Sequence, residues 1–426
     1  MKKFLSTLYT IFLFLFIFPT GTFFHIPVKT IAIAILLFVY ILYKRRIFLD
    51  ELTVAILFIL LGVALWSLYG IINGFLGSTI KFDLNFVSLF VVIYITYEFY
   101  KSEIIDSKKI LKYVSIVSFL IIVFNVMVSA ALSTHIFDFD SFYSFYSRFF
   151  NAAPMTALIN LGPITIYRVQ MANNTIPFIW LGYTLVMDRR IIYKLFVVLM
   201  VGVLAVVSFS RVLIAEYLGL ILASFVIRLL HNSKKTKDEA ISIGFVSVVV
   251  ILVFGFAIFR YGGVVIEYIE TRFNSNMTEY SDSFRDIQKV FLSSGFAENP
   301  LLGHGAGSYV REYIRSDSAP YSYELEYLSF FYQFGILGFL WIIVGSMLIF
   351  YRLCLSKADN WNIKLLVLVN LIIWSIKPLY NPNFLSSNSG IIISIIFIYS
   401  HQIMPSKKVV ETKQVVVNKE VEAANT

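Results

Sequence analysis

Apolar runs near 20 residues long recur along this chain, and that repeat restricts the possible folds more than any other feature. A helix needs roughly 20 mostly apolar residues to cross a bilayer. About twelve such segments are present, near residues 4–20, 26–43, 53–73, 84–100, 110–132, 172–187, 191–208, 212–230, 240–260, 325–351, 363–378 and 385–401. In hydrocarbon every backbone N–H and C=O must be satisfied within the protein, so these segments have to be helices. With 58% hydrophobic and 14% charged residues and a mean hydropathy of +0.80, an ordinary soluble domain is excluded. The expected fold is an all-α polytopic membrane protein of about twelve transmembrane helices.

Charge predicts the orientation. Positive residues collect in cytoplasmic loops. With Lys2 and Lys3 inside, the inner junctions hold Lys44-Arg45-Arg46, Lys101 to Lys112, Arg189-Arg190-Lys194, Arg228 to Lys237, Arg352 to Lys364 and Lys407-Lys408. The alternation never breaks, which predicts both termini cytoplasmic and accounts for most of the +9 net charge without nucleic acid. No small-residue cleavage site follows the first apolar run, so it reads as a retained helix rather than a signal peptide. The single cysteine, Cys354, excludes an intramolecular disulfide. The inner face carries 17 Lys against 6 Arg, the outer face 8 Arg against 4 Lys. Arginine's planar fork binds phosphate or carboxylate bidentately where lysine is a point charge, so the outer bias hints at an anionic ligand.

Two outer loops are long, residues 133–171 and 261–323, the second lying between spans nine and ten. Long loops in compact proteins usually carry function. The second contains Ser281-Asp-Ser-Phe-Arg-Asp-Ile-Gln-Lys-Val-Phe-Leu-Ser-Ser-Gly-Phe296, which predicts a short amphipathic helix. Ser281 or Ser283 would cap it, with Phe284, Ile287, Val290 and Phe291 on its apolar face. Residues 1–405 then form one membrane domain with a partly helical outer lid, and the polar tail 406–426 is expected to be disordered and cytoplasmic.

Several residues are candidates for chemistry. Glu298-Asn-Pro-Leu-Leu-Gly-His-Gly-Ala-Gly-Ser-Tyr-Val310 is glycine-rich but lacks the Lys-Ser/Thr of a phosphate loop. Gly303, Gly305 and Gly307 can shape a tight turn, or can present a nest of N–H groups to an anion. His304 within it reads as an exposed side chain. Asp138-Phe-Asp140 has the pattern of a metal-binding acidic pair, but in an outer loop without strand context it predicts no metal site. Charge at membrane depth costs at least ~2.5–3.5 kcal/mol for a central arginine, which makes such residues functional suspects. Arg211 opens span eight in Ser-Phe-Ser-Arg, with Glu216 deeper in that span, and Arg168 stands at the entrance of span six beside Gln170, Asn173 and Asn174.

Ser208-Phe-Ser-Arg211 opening a span, Arg285 in Ser-Phe-Arg-Asp-Ile-Gln-Lys-Val-Phe, then Asn299-Pro-Leu-Leu-Gly-His-Gly-Ala-Gly, then Tyr323-Glu-Leu-Glu-Tyr-Leu-Ser opening the next span follow the order seen in one family. Over roughly 208–345 the chain resembles the O-antigen polymerase and O-antigen ligase superfamily, multi-span glycosyltransferases acting on undecaprenyl-diphosphate-linked glycans. Ligases of that superfamily carry a histidine where Glu324 stands here, so the resemblance points to the polymerase, the Wzy type.

That resemblance implies an activity at the outer face of a bacterial inner membrane, with a donor and an acceptor glycan each linked to undecaprenyl diphosphate. It also implies a chain-length regulator as protein partner, and neither cofactor nor metal, since the diphosphate leaving group already activates the donor. Arg211 and Arg285 would stabilise the departing diphosphate, and Glu324 would take the proton of the acceptor hydroxyl or orient it. Glu326, Arg168 and the three glycines would bind substrate. The ligase is the alternative enzyme. A lipid-linked oligosaccharide flippase is the alternative of another class, although it needs no large outer lid.

Overall fold

The computed structural model describes residues 1–24, 26–44, 50–150, 155–161, 164–171, 173–186, 190–230, 275–317, 319–351 and 387–402, with isolated positions at 248, 369, 372 and 375. Most of spans nine and eleven, Cys354 and the tail from Ser406 therefore lie outside the described residues.

Twelve α-helices are present among the described residues. The first five are α1 (Lys2–Phe14, continued by a helical turn Leu15–Ile17), α2 (Val28–Lys44), α3 (Glu51–Ile72), α4 (Leu76–Lys101) and α5 (Ser107–Ser133). Next come α6 (Phe139–Phe150), α7 (Ile176–Val186), α8 (Ile191–Val207) and α9 (Arg211–Leu230). The last three are α10 (Ser275–Glu298), α11 (Glu326–Phe350) and α12 (Ser387–Gln402). Four stretches, Glu51–Ile72, Leu76–Lys101, Lys108–Ser133 and Glu326–Phe350, are long and apolar enough to cross a membrane; Ile176–Leu185 and Ile191–Val207 are apolar but shorter. The chain is thus a mostly helical, membrane-type protein.

Side chains cap two of the long helices, α3 and α5, where they begin. The Asp50 carboxylate accepts from the Thr53 amide at 3.0 Å, and Asp106 accepts from the Lys108 amide at 3.0 Å. Each supplies an acceptor for an N–H that the first helical turn cannot satisfy. Lys101 pairs with Asp50 at 2.9 Å, so the end of α4 meets the start of α3, and the two run antiparallel. In lipid, water exclusion does not drive helices together; close packing does. Gly62 of α3 accordingly lies under Trp341 of α11, whose Nε1 donates to the Phe58 carbonyl at 2.9 Å while the rings of Phe58 and Trp341 stack at 4.1 Å.

Among the described residues two large apolar cores result, with smaller clusters beside them. One gathers α1 to α4, part of α5, α11 and α12 around Phe82, Phe86, Phe99 and Phe334. The other packs α7, α8 and α9 around Phe178, Leu181, Val197 and Leu213, with Ile122 of α5 joining it. Long α5 thus sits between the two.

The loop 133–171 departs from the all-helical expectation. It holds α6 and an antiparallel hairpin, β1 (Met155–Leu161) with β2 (Ile164–Gln170), in register Ile159 to Ile166 and Ala157 to Arg168. The signal was legible: Ile-Thr-Ile-Tyr-Arg-Val-Gln alternates in β-rich residues after a Gly-Pro, a pattern that reads as a strand. Asp138 caps α6, its Oδ2 accepting from the Ser141 amide at 3.1 Å, a structural task for the acidic pair. The hairpin is tied to the C-terminal end of α5, where Ser133 Oγ accepts from the Tyr167 amide at 2.9 Å and Ser129 Oγ donates to the Tyr167 carbonyl at 2.7 Å.

Candidate functional site

The glycine segment is a plug in a broken helix. Inside α11, Gly335 has φ 60° and ψ −171°, so the helix stops and restarts about 14 Å along its axis, taking ~1.5 Å per residue from Glu326. A break leaves carbonyls on one side and amides on the other without partners, which an apolar environment tolerates only if protein satisfies them. The segment 299–308 does so from both sides. His304 N and Gly305 N donate to the carbonyls of Tyr332 and Gln333 at 2.9 and 2.8 Å, while the carbonyls of Pro300 and Leu301 accept from Ile336 N and Leu337 N at 2.9 and 3.1 Å.

The same segment is stitched to the α3–α4 turn. Ala306 N donates to the Trp66 carbonyl at 2.9 Å, Trp66 Nε1 to the Leu302 carbonyl at 2.8 Å, and Thr79 Oγ1 to the Ala306 carbonyl at 2.8 Å. Gly305 has φ +98°, and a Cβ there would lie 2.2 Å from the Gly70 amide nitrogen and 2.3 Å from its Cα.

These contacts decide between the two readings of the glycines. Gly303 N donates to Asn299 O at 2.8 Å and Gly307 N to Gln333 Oε1 at 2.9 Å, so the amides from 303 to 307 are all spent on protein acceptors. The segment offers no nest to an anion. Gly303, Gly305 and Gly307, assigned from sequence to substrate binding, are assigned by the geometry to packing instead. His304 is also not an exposed side chain. It is half-buried, stacked on Tyr332 at 4.5 Å, with Nε2 2.8 Å from the Gly295 carbonyl.

The lid helix differs from its expected form. It starts at Ser275, before either proposed cap, and buries Gln288, Leu292 and Gly295; of the predicted stripe Phe291 packs inward on Tyr313, while Phe284, Ile287 and Val290 remain exposed. Packing against α11 selects the face, and the burial of a glutamine at its centre is something that an apolar-face argument misses. Gln288 Oε1 accepts from the Glu324 amide at 2.9 Å, so it positions the residue singled out from sequence.

Around Glu324 the charges converge. One carboxylate oxygen accepts from Arg285 Nε at 2.9 Å and the other from Arg315 Nη2 at 2.9 Å, with all three side chains between 20% and 29% exposed. Arg315 was missed in the sequence because nothing in its local pattern marks it. Each oxygen of Glu324 carries one guanidinium. The geometry first makes Glu324 the anchor of two arginines. Glu326, the first residue of α11, is buried and lines an adjoining cavity of about 180 Å³ with Phe82, Asn85, Tyr321, Ser329 and Gln333.

Tyr323 braces this wall. Its hydroxyl accepts from Val310 N at 2.9 Å and donates to the Tyr313 carbonyl at 3.3 Å, and burial pushes the hydroxyl up to about 12. Tyr323→Phe should lower stability by about 1–3 kcal/mol, because a buried amide loses its acceptor. A thermal melt of the purified protein checks this, with wild-type behaviour as the contrary result.

Arg211 and Arg168 occupy another corner. Arg211 is the first residue of α9, just after Phe209, which has φ 46° in the turn from α8. Phe209 packs with Ile159 and Ile166 of the hairpin, and Ile166 lies on the same strand face as Arg168, whose guanidinium bonds the Gln170 amide oxygen. Arg168 therefore belongs to the hairpin, not to a span entrance. Glu216 is buried one and a half turns further along α9. Arg211 opens α9, which packs on α7 and α8, while Arg285 of α10 pairs with Glu324 just ahead of α11.

Searches against protein-family models and against curated protein sequences found no match to this chain.

Proposed function

We propose that this protein is a polysaccharide polymerase of the O-antigen polymerase type, joining repeat units carried on undecaprenyl diphosphate at the outer face of a bacterial inner membrane. The observation that carries the reading is the Arg285–Glu324–Arg315 cluster, near a partly polar cavity between α4, residues 319–323 and α11. An acceptor hydroxyl oxygen attacks the anomeric carbon of the donor glycan. The bond from that carbon to the diphosphate breaks, the diphosphate leaves with the electron pair, and the hydroxyl proton passes to a carboxylate or to water. Arginines fixed before the reaction stabilise the charge that builds on the leaving group. Arg211 and Arg168, two residues from the packed Phe209 and Ile166, would serve the second of the two lipid diphosphates that such an enzyme must hold.

The proposal includes the twelve-span topology with both termini cytoplasmic and a chain-length regulator as partner. Reporter fusions in the α4–α5 loop after Glu103 and in the lid after Ser294 should give opposite signals; matching signals would remove the topology.

The activity is tested by deletion. A cell lacking this chain should accumulate surface glycolipid carrying a single repeat unit, because a separate ligase still transfers it. Long polymer stranded on undecaprenyl diphosphate would instead identify the chain as the ligase, and repeat units trapped on the cytoplasmic leaflet would identify a flippase.

A further inference from the structure

At the other end of α5 from the hairpin lies a second site, which the proposed reaction does not use. An open groove of about 470 Å³ runs between α5, α7 and α8. Lys108 and Lys112 stand at its mouth, and Ser115, Ile116 and Phe119 continue it along α5. Trp180 and Tyr183 of α7 and Tyr193 and Phe196 of α8 form the opposite wall.

The ordering of these groups along the helix is that of an amphiphile. Both lysines are exposed, one turn apart, and no carboxylate among the described residues pairs with either. Trp180 Nε1 donates to Tyr193 Oη at 3.2 Å, which leaves the Tyr193 O–H to donate outward at the same level. Indole and phenol groups with one polar end favour the depth of lipid headgroups. Beyond them Ile116, Phe119 and Phe196 are each more than a third exposed in an apolar slot. From Lys108 to Phe119 is roughly 16 Å at ~1.5 Å per residue, about half of the ~30 Å hydrocarbon thickness. Cationic mouth, aromatic collar and apolar slot one leaflet deep match one ligand class.

We infer that this groove binds an anionic phospholipid of the leaflet at the basic end of the bundle, its phosphate between Lys108 and Lys112 and one acyl chain along Ile116 and Phe119. Charge complementarity selects the headgroup, since basic pockets between helices on the cytoplasmic side attract anionic lipids. The polyprenyl diphosphate substrate is the wrong occupant, because none of the arginines proposed for it lines the groove and Arg168 lies on the hairpin at the opposite end of α5.

The test uses the full-length protein purified in detergent and examined by native mass spectrometry with added lipid. Phosphatidylglycerol should be retained at about tenfold lower concentration than phosphatidylcholine of the same chains. Lys108→Ala with Lys112→Ala should reduce that preference about tenfold or more, as two surface charges near a phosphate predict. Ile116→Trp, which keeps both lysines and fills the slot, should also reduce retention. Lys2→Ala with Lys3→Ala removes the same charge from another exposed position and should change nothing. Equal retention of the two lipids, equal effects of the two lysine pairs, unaltered retention in Ile116→Trp, or displacement of phosphatidylglycerol by millimolar inorganic phosphate would each overturn the inference. Melting temperatures without added lipid should match wild type for both lysine variants, which separates lost binding from lost folding.

Discussion

Gly305→Ala is expected to prevent stable folding. Two costs add at that position. Its φ of +98° is strained for any residue with a side chain, by about 1–3 kcal/mol. The new methyl would also meet the Gly70 backbone at 2.2–2.3 Å, and backbone on the α3 side cannot rotate away as a side chain could. Overpacking in a well-filled interior costs about 1–3 kcal/mol more. The sum is a large share of a typical stability of 5–15 kcal/mol. The damage should spread, because moving the segment strips partners from the broken helix at Tyr332, Gln333, Ile336 and Leu337. Protein level in the membrane should fall several-fold and the melting temperature should drop.

Gly77→Ala is the control: nothing lies within 4 Å of a Cβ there, so it should be neutral or slightly stabilising. If Gly305→Ala folds normally and loses only polymer formation, the segment contacts substrate, and the packing role assigned here fails.

The second large effect concerns the arginine cluster. Arg285→Lys should reduce polymer formation about 100- to 1,000-fold, close to the loss in Arg285→Ala, because one preorganised donor to a developing anion is commonly worth that much. Lysine keeps the charge but cannot reproduce a planar fork that bonds Glu324 through Nε. Glu324→Gln should damage as well. Its amide can accept from one guanidinium but turns N–H groups toward the other, so the pair Arg285 and Arg315 loses its anchor. Glu324→Asp keeps both acceptors on a stem one methylene shorter and should retain part of the activity.

If Glu324 acts through Arg285, the double variant Arg285→Lys with Glu324→Gln should be no worse than the poorer single variant. Multiplicative losses would show two independent roles and restore Glu324 as a base in its own right. The measurement is the polymer ladder formed from lipid-linked repeat units at matched protein level. Near-normal ladders from Arg285→Lys would reduce this arginine to generic positive charge.

Much of this molecule was determined by the sequence alone. Residues that avoid water in runs of about 20 can only become buried or lipid-facing helices, which is why α3, α4, α5 and α11 lie close to where the apolar runs predict them. Glu324 and Arg285 were singled out through the order of motifs that the chain shares with a known superfamily, not through any local rule of charge. Tertiary structure decided what local pattern could not contain. That Arg315 shares Glu324 with Arg285, that Gln288 is buried beneath them, and that α10 turns Phe284, Ile287 and Val290 of its predicted stripe outward all depend on contacts between segments far apart in the chain. The glycines are the clearest instance: their spacing suits either an anion nest or a tight passage of backbone. The outcome rested on distant partners: the break at Gly335 supplies carbonyls to the amides of His304 and Gly305, Gln333 Oε1 takes that of Gly307, and Trp66 takes that of Ala306. Hydrogen-bond accounting of that kind is a property of the folded chain, because each donor is committed only when its acceptor arrives.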